Sequence, residues 1–239
     1  MGGCEKHSSV VSACYDDRVA EPRVSLRERK KQDTKRQVVH VANMMFREHG
    51  YDAVTLEQIA DASVMSVRTI LRYFNTKEAL ALAAEHDMLQ AFRALLVDRD
   101  TDAVSCWRNF RNETLPLMDT PEMRTRMRAI FDTPPLLAEF LRIGEGYQES
   151  LTAAIAEDWG EDPSLEASVF ASVLVSSTSA AFRRWFVSEE SFDLVALQDI
   201  VDRVCAAFGK GKVAVPRRAV RRSGATKVTR TRKGPSSRR

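Results

Sequence analysis

Two arginines, Arg68 and Arg72, stand one helical turn apart in the segment SVRTILRYF, residues 66–74. On a helix they project from one face, while Ile70 and Phe74 project from nearly the opposite face. A guanidinium can donate two parallel hydrogen bonds to a guanine edge or pair with phosphates, and a helix fits the major groove. The spacing therefore indicates a face that reads nucleic acid, although a solvated basic face on an ordinary small helix has the same pattern.

Helix-start signals place these arginines on the second of two short helices joined by a tight turn. Thr55 opens a T-x-x-Q capping box, and Ser66 can cap the next helix. A further helix is expected to start near Asn75 or Thr76, because Asn75 and Glu78 repeat the capping-box spacing. Two short capped helices, the second with an outward basic face, are typical of a helix-turn-helix.

Residues 34–80 resemble the DNA-binding domain of the TetR family of bacterial regulators. The matching residues are Ala42, Phe46, Gly50, Tyr51, Thr55, Ile59, Ala60, Ser66, Thr69, Phe74 and the run KEAL at 77–80. The resemblance implies a three-helix DNA-binding head and a larger helical body that binds a small molecule and dimerises. The segment SVRTILRYF looks like the actinobacterial-type variants of this motif.

The resemblance also implies contacts with a double-stranded DNA operator. Thr55 and Ser66 would cap helices and offer hydroxyls to phosphates, while Tyr73 and Lys77 would meet the DNA backbone. The implied DNA-binding residues are Thr55, Ser66, Val67, Arg68, Thr69, Leu71, Arg72, Tyr73 and Lys77. In the turn, Val64 stands where the family often has glycine, so we expect a turn of different shape.

Charge is distributed unevenly along the 239 residues, whose net charge is +3. Residues 210–239 carry 12 basic and no acidic side chains, whereas residues 78–209 carry 11 basic and 23 acidic ones. Basic segments attract polyanions, and an acidic body would be repelled by them. The basic tail therefore keeps open an alternative function, a nucleoid-type architectural protein that binds DNA broadly.

Apolar residues recur at helical spacing from about Leu26 to Gly209, and hairpin signals are lacking, which predicts an all-α fold of about nine helices. One of these helices is expected to run unbroken over 77–97. We divide the chain into a flexible N-terminal arm (1–26), a TetR-type DNA-binding domain (27–77) with its helix-turn-helix at about 55–74, a ligand-binding and dimerisation domain (78–209) and a disordered basic tail (210–239).

Large apolar residues concentrate in the body, where the resemblance implies a ligand cavity between helices. The predicted lining residues are Phe92, Leu96, Trp107, Phe110, Phe131, Phe140 and Tyr147. The same side chains could simply fill a packed core. Arg111, Arg142, Glu145 and Glu149 could supply a polar group to such a pocket or lie on the surface.

The resemblance implies that the last two long helices form a four-helix bundle with their copies in a second subunit. Residues 171–182, ASVLVSSTSAAF, are rich in small side chains, which permits close helix approach. The predicted interface residues are Val173, Ser177, Ala180, Leu197, Val201 and Val204. A homodimer is also what operator geometry favours, because one head reads only a short half-site.

Catalytic signatures such as G-x-S-x-G, the P-loop, H-E-x-x-H and G-x-G-x-x-G are absent from the sequence. The four histidines and four cysteines show no metal-ligand spacing, so no enzyme activity, metal or cofactor is expected. Scattered cysteines fit a reducing cytoplasm, and no apolar run long enough for a membrane span is recognised. The predicted function is a TetR-like, ligand-responsive repressor that binds a palindromic operator as a homodimer. A helical small-molecule-binding or catalytic protein that never touches DNA is a second alternative.

Overall fold

The computed structural model describes residues 25–187 and 194–208, and in this part of the chain it contains ten α-helices and no β-strand. The helices are α1 (Leu26–His49), α2 (Leu56–Ala62), α3 (Val67–Phe74), α4 (Lys77–Ala81), α5 (Ala83–Val97), α6 (Ala103–Met118), α7 (Pro121–Asp132), α8 (Pro134–Trp159), α9 (Leu165–Val187) and α10 (Leu194–Phe208). The all-α prediction is confirmed. The predicted disordered tail, and the predicted arm before Ser25, lie outside the described residues.

One predicted helix, 77–97, is divided into α4 and α5 at Leu82, whose backbone has φ −104° and ψ 27°. The division lies where the chain contacts two buried clusters. Leu80 and Ala83 pack in the cluster of the head, whereas Ala81 and Leu82 pack in a cluster of the body. The segment that joins head and body is therefore a five-residue helix, α4, followed after a bend by a 15-residue helix, α5.

The head consists of α1, α2 and α3 around one apolar cluster. Val38, Ala42, Ile59 and Ile70 are fully buried there, and Phe74 is 5% exposed. The predicted capping box is present, since Gln58 N donates to Thr55 Oγ1 at 3.2 Å and Thr55 N donates to the Gln58 side chain at 2.8 Å. Local capping and a shared core together fix the angle between these short helices.

The turn between α2 and α3 does not have the different shape expected from Val64. Val64 itself adopts φ +56°, the left-handed conformation that usually requires glycine. Its N–H donates to Asp61 O at 3.2 Å, and the N–H of Met65 donates to Ala60 O at 2.8 Å, which together form a Schellman motif. The usual turn is therefore kept, with backbone strain at a β-branched residue.

The cap of α4 also differs from the capping box expected at Asn75. Asn75 ends α3, with φ +64° and an N–H that donates to Leu71 O at 2.8 Å. Thr76, the other predicted position, caps α4 by accepting from Ala79 N at 3.0 Å. Asparagine tolerates positive φ better than most residues, which suits it to the end of a helix.

The body is built around α8, which packs against α5, α6, α7 and α9. Gly160 ends α8 at φ +72°, a left-handed conformation at which glycine carries no strain. One segment, Leu165–Trp185 on α9, is long and apolar enough to cross a membrane by length and composition alone. The sequence analysis did not recognise this segment. Core helices of soluble proteins have the same length and apolar composition, so these two properties do not by themselves indicate a membrane span. Here Ala167, Phe170 and Leu174 of α9 are buried in the body core.

Candidate nucleic-acid interface and body cavity

The recognition helix α3 has a buried face and an exposed face, as its sequence predicts. Ser66 caps it by accepting from Thr69 N at 3.2 Å, and the two hydroxyls of these residues lie 2.9 Å apart. Ile70 is fully buried and fixes the inward face. Arg68 and Arg72 are exposed on the other side, where Arg72 lies over the ring of Tyr73 at 5.5 Å. The helix thus exposes two guanidinium groups on one face, and a guanidinium can donate hydrogen bonds to base edges in a major groove.

The other predicted contact residues on the head differ in exposure. Thr55 and Ser66 are exposed, and each accepts a capping hydrogen bond; the Ser66 hydroxyl also lies within hydrogen-bond distance of the Thr69 hydroxyl. The half-exposed residues are Val67, Thr69, Leu71 and Tyr73. Val67 and Tyr73 also pack against the head cluster, so their apolar parts help to hold the helix in place.

Lys77 is directed towards the head rather than presented as an open phosphate contact. Its Nζ donates to Tyr51 O at 2.6 Å and lies 3.9 Å from the centre of the Tyr51 ring. Burial lowers the pKa of Lys77, although Asp52 and Glu78 act in the opposite direction. The hydroxyl of Tyr51 donates to Glu78 at 2.6 Å. The prediction for Lys77 neglected these partners, which join the end of α1 to the start of α4.

In the body, a cavity of about 120 Å³ lies among α5, α6, α7, α8 and α9. Five of the seven predicted lining residues surround it, namely Trp107, Phe110, Phe131, Phe140 and Tyr147. Phe92 and Leu96 do not line it, and their assignment was wrong. Phe92 is fully buried behind the wall, with ring centres 5.2 Å from Trp107 and 5.4 Å from Tyr147. Leu96 is 5% exposed within the same core cluster.

Of the four polar residues considered for the pocket, the structure brings only Arg111 into the cavity wall. Arg142 instead pairs with Glu139, whose other oxygen lies 2.7 Å from His86 Nε2. Glu145 lines an open groove beside the cavity. Sequence reasoning missed Thr178 and Ser179, which line the cavity from α9, because the small-residue segment around them was assigned wholly to the dimer interface.

The predicted interface residues fall into three groups. Ala180 is exposed on α9, and Val173 and Ser177 are half-buried. Leu197 is only 3% exposed and packs in the core cluster of its own subunit, so its assignment to the interface was wrong. Its helical position faces α6 and α9 of the same chain rather than solvent. The side chains of Val201 and Val204 lie outside the described part of the structure.

Comparisons with known proteins agree with this geometry. The family described as bacterial regulatory proteins, tetR family, matches residues 38–84, and the family described as MftR C-terminal domain matches residues 111–211. The HTH-type transcriptional regulator TcmR of Streptomyces glaucescens is 32% identical over 188 residues, which are 72% of this chain and 81% of TcmR. The chain belongs to the TetR family.

Two further similarities extend over most of this TetR-family chain. The putative mycofactocin biosynthesis transcriptional regulator MftR of Mycobacterium tuberculosis is 26% identical across 76% of this chain and 94% of its own length. The solved SmeT–triclosan complex has a TM-score of 0.53 and 17% identity, covering 73% of this chain and 91% of the other, and it supports the fold alone. The protein is thus a TetR-family DNA-binding transcriptional regulator, and its relatives are regulators rather than enzymes.

Proposed function

We propose that this protein is a cytoplasmic, ligand-responsive repressor that binds a palindromic operator as a homodimer. The observation that carries the proposal is α3, whose core side holds Ile70 and Phe74 while its solvent side presents Arg68 and Arg72. One such helix covers a short half-site. A two-fold dimer would place two copies in successive major grooves, roughly 34 Å apart along the duplex.

The dimer is proposed to form through the solvent face of α9 together with α10. Val169 of α9 is 43% exposed, and Ile200 of α10 is 44% exposed. Ala180, also on α9, is exposed as well. Exposed apolar residues on neighbouring helices favour association with a matching surface, and small residues allow helices to approach closely. This proposal also accounts for the apolar composition of α9.

An effector in the body cavity is proposed to control the heads through α5. The cavity is lined by Glu85 and Met88 of α5, and Asp87 of the same helix pairs with Lys35 of α1 at 2.6 Å. A ligand that displaces α5 would therefore displace the head. Release of DNA needs a preference for the non-binding conformation of about 1–3 kcal/mol.

Selection of bound genomic fragments by the purified protein tests the DNA-binding proposal. The full chain and a chain lacking residues 210–239 should both recover the same palindromic site, and footprinting should protect two half-sites. Deleting these residues removes 12 basic side chains. Binding to the operator and to scrambled duplexes should then weaken by a similar factor, and the affinity should depend less steeply on salt concentration. Loss of the operator preference on truncation would instead favour the architectural alternative.

Sedimentation of Val169→Glu tests the dimer surface. The substitution places a charge in the proposed interface and should yield folded monomers, because a buried unpaired charge is costly. Val97→Glu is the matched control, since Val97 is 75% exposed on α5, away from α9 and α10. An unchanged dimer in the Val169 variant would remove this face of α9 from the interface.

A further inference from the structure

Three of the five helices around the body cavity each contribute a set of residues at helical spacing. On α6 these are Trp107, Phe110, Arg111, Thr114, Leu115 and Met118. On α8 they are Phe140, Leu141, Ile143, Gly144 and Tyr147, and on α9 they are Val175, Thr178, Ser179, Phe182 and Arg183. Regular spacing on three helices shows that one face of each is directed to a common space. The cavity therefore belongs to the architecture of the body and is not a local packing fault.

Aromatic rings dominate the apolar part of this wall. Phe131 and Phe140 meet edge to face with their centres 5.7 Å apart, and Trp107 and Tyr147 meet in the same manner at 5.5 Å. Rings in such arrangements present both faces and edges to a planar guest. The volume of about 120 Å³ is close to the roughly 150 Å³ of an apolar cavity that holds a benzene ring. The space thus suits one flat ring before any movement of the walls.

The polar part of the wall is positively charged and buried. Arg111 is 2% exposed, its guanidinium lies 5.6 Å from the Trp107 ring, and its Nη1 donates to Thr178 Oγ1 at 3.3 Å. A guanidinium stays protonated in proteins and has five N–H donors in a fixed fork. Bringing it into a cavity wall is costly, and an anion placed against it offsets that cost. The most buried charge of the lining is therefore a cation.

A second donor lies beside Arg111 on the same helix. Trp107 is 4% exposed, and its Nε1–H has no hydrogen-bond acceptor among the residues that the structure describes. Buried indole N–H groups usually have an acceptor, so this donor suits an oxygen atom of a guest. Guanidinium and indole together can donate to the two oxygens of one carboxylate group.

Among the described lining residues, the other charged side chains are consistent with this preference. Glu85 is the one acidic residue of the lining, and Arg126 donates to both of its oxygens, at 2.9 and 3.0 Å. That pair is neutral as a unit. Arg183, which is exposed, also lines the cavity and adds a second positive charge on the α9 side.

We propose that the body cavity binds a planar aromatic acid, with the ring among Phe131, Phe140 and Tyr147 and the anionic oxygens on Arg111 and Trp107. This proposal rests on the proposed role of the cavity as the effector site, and it deepens that role by naming the chemical class of the effector. Selection against neutral analogues comes from Arg111, because a guanidinium forms stronger, charge-assisted hydrogen bonds with a carboxylate than with an amide. The rings supply affinity that both the acid and its amide share.

The test compares benzoate with its neutral analogue benzamide by calorimetric titration of the full chain without DNA. Wild type should bind the acid at least about tenfold more tightly than the amide, as expected for charge-assisted hydrogen bonds. Arg111→Met should remove this preference while amide binding persists. Arg108→Met is the matched control on α6, since Arg108 pairs with Asp202 at 2.6 Å, does not line the cavity, and should leave the preference intact.

Equal binding of the two probes by wild type, no saturable binding of either, or an unchanged preference in the Arg111 variant would overturn the proposal. A Trp107→Phe chain keeps a ring but lacks the N–H, so it should lose part of the acid preference even if the Arg111 variant fails to fold. Because the titration contains no DNA, its outcome is separate from regulation. An acid that binds with the expected preference but never releases operator would contradict only the proposed control of the heads.

Discussion

Two glycines on α8, Gly144 and Gly146, should respond to alanine in opposite ways. A Cβ added at Gly146 would lie 2.6 Å from Leu89 Cδ2 and 3.3 Å from Arg93 Nη2. A Cβ added at Gly144 would have no heavy atom within 4 Å. Both glycines are inside the same helix, so each gains the same intrinsic helix propensity on replacement, about 1 kcal/mol. The pair therefore isolates the effect of the contact between α8 and α5.

The magnitude follows from the distance that Leu89 must move. Ordinary carbon contacts lie at about 3.5–4.0 Å, so the Leu89 methyl would have to retreat by about 1 Å. Leu89 is 4% exposed within a packed cluster and has little room for this movement. Overpacking of a core costs about 1–3 kcal/mol. We expect Gly144→Ala to be more stable than wild type, and Gly146→Ala to be less stable than Gly144→Ala by about 1–3 kcal/mol.

Urea unfolding followed by circular dichroism measures this difference. All three proteins should be compared at one protein concentration, because association shifts the apparent stability. Equal slopes of the unfolding free energy against urea concentration would show that the midpoints report stability rather than a change in the unfolded state. If the two alanine variants had the same midpoint, Leu89 would be free to move, and the close approach of α5 and α8 would not depend on a glycine.

Three further predictions concern the head. Val64→Gly should raise the thermal midpoint, because it relieves a φ of +56° that costs an L-residue about 1–2 kcal/mol. The Val64 side chain is 90% exposed, so its removal loses no buried surface. The control Val97→Gly, inside a helix, should lower the midpoint. Arg68→Ala should weaken operator binding by about 1–3 kcal/mol and relax base preference at one position in titrations of single-base variants, whereas a uniform loss would indicate a phosphate contact. Burial raises the pKa of Glu78, but hydrogen bonds, that of the Tyr51 hydroxyl foremost, outweigh it and hold this pKa below its ordinary value. A depressed pKa stabilises the fold above the unfolded pKa, and this contribution is lost as pH falls through the folded pKa, so Tyr51→Phe should move acid unfolding to higher pH; an unmoved acid midpoint would contradict that role.

The sequence by itself determined the head, because its signals act over a few residues. A capping box, an N-cap serine and an i, i+4 pair of arginines each involve neighbours on the chain. The sequence could therefore place Thr55 and Ser66 at helix starts and Arg68 and Arg72 on one exposed face. Even there, Val64 was misleading, since the sequence shows the strain of a β-branched residue in a left-handed turn but not the surrounding hydrogen bonds that hold it.

Tertiary structure alone decided the side chains whose partners are distant in sequence. Phe92 and Tyr147 are both aromatic residues of body helices, yet one fills the core and the other lines the cavity. Leu197 has the spacing of an interface residue but packs within its own subunit, and Lys77 is held by Tyr51. Periodicity tells which side of a helix is apolar, but not which neighbour will cover it. That choice depends on how α5, α6, α8 and α9 pack together, and the same packing brings Arg111 and Thr178 into one wall.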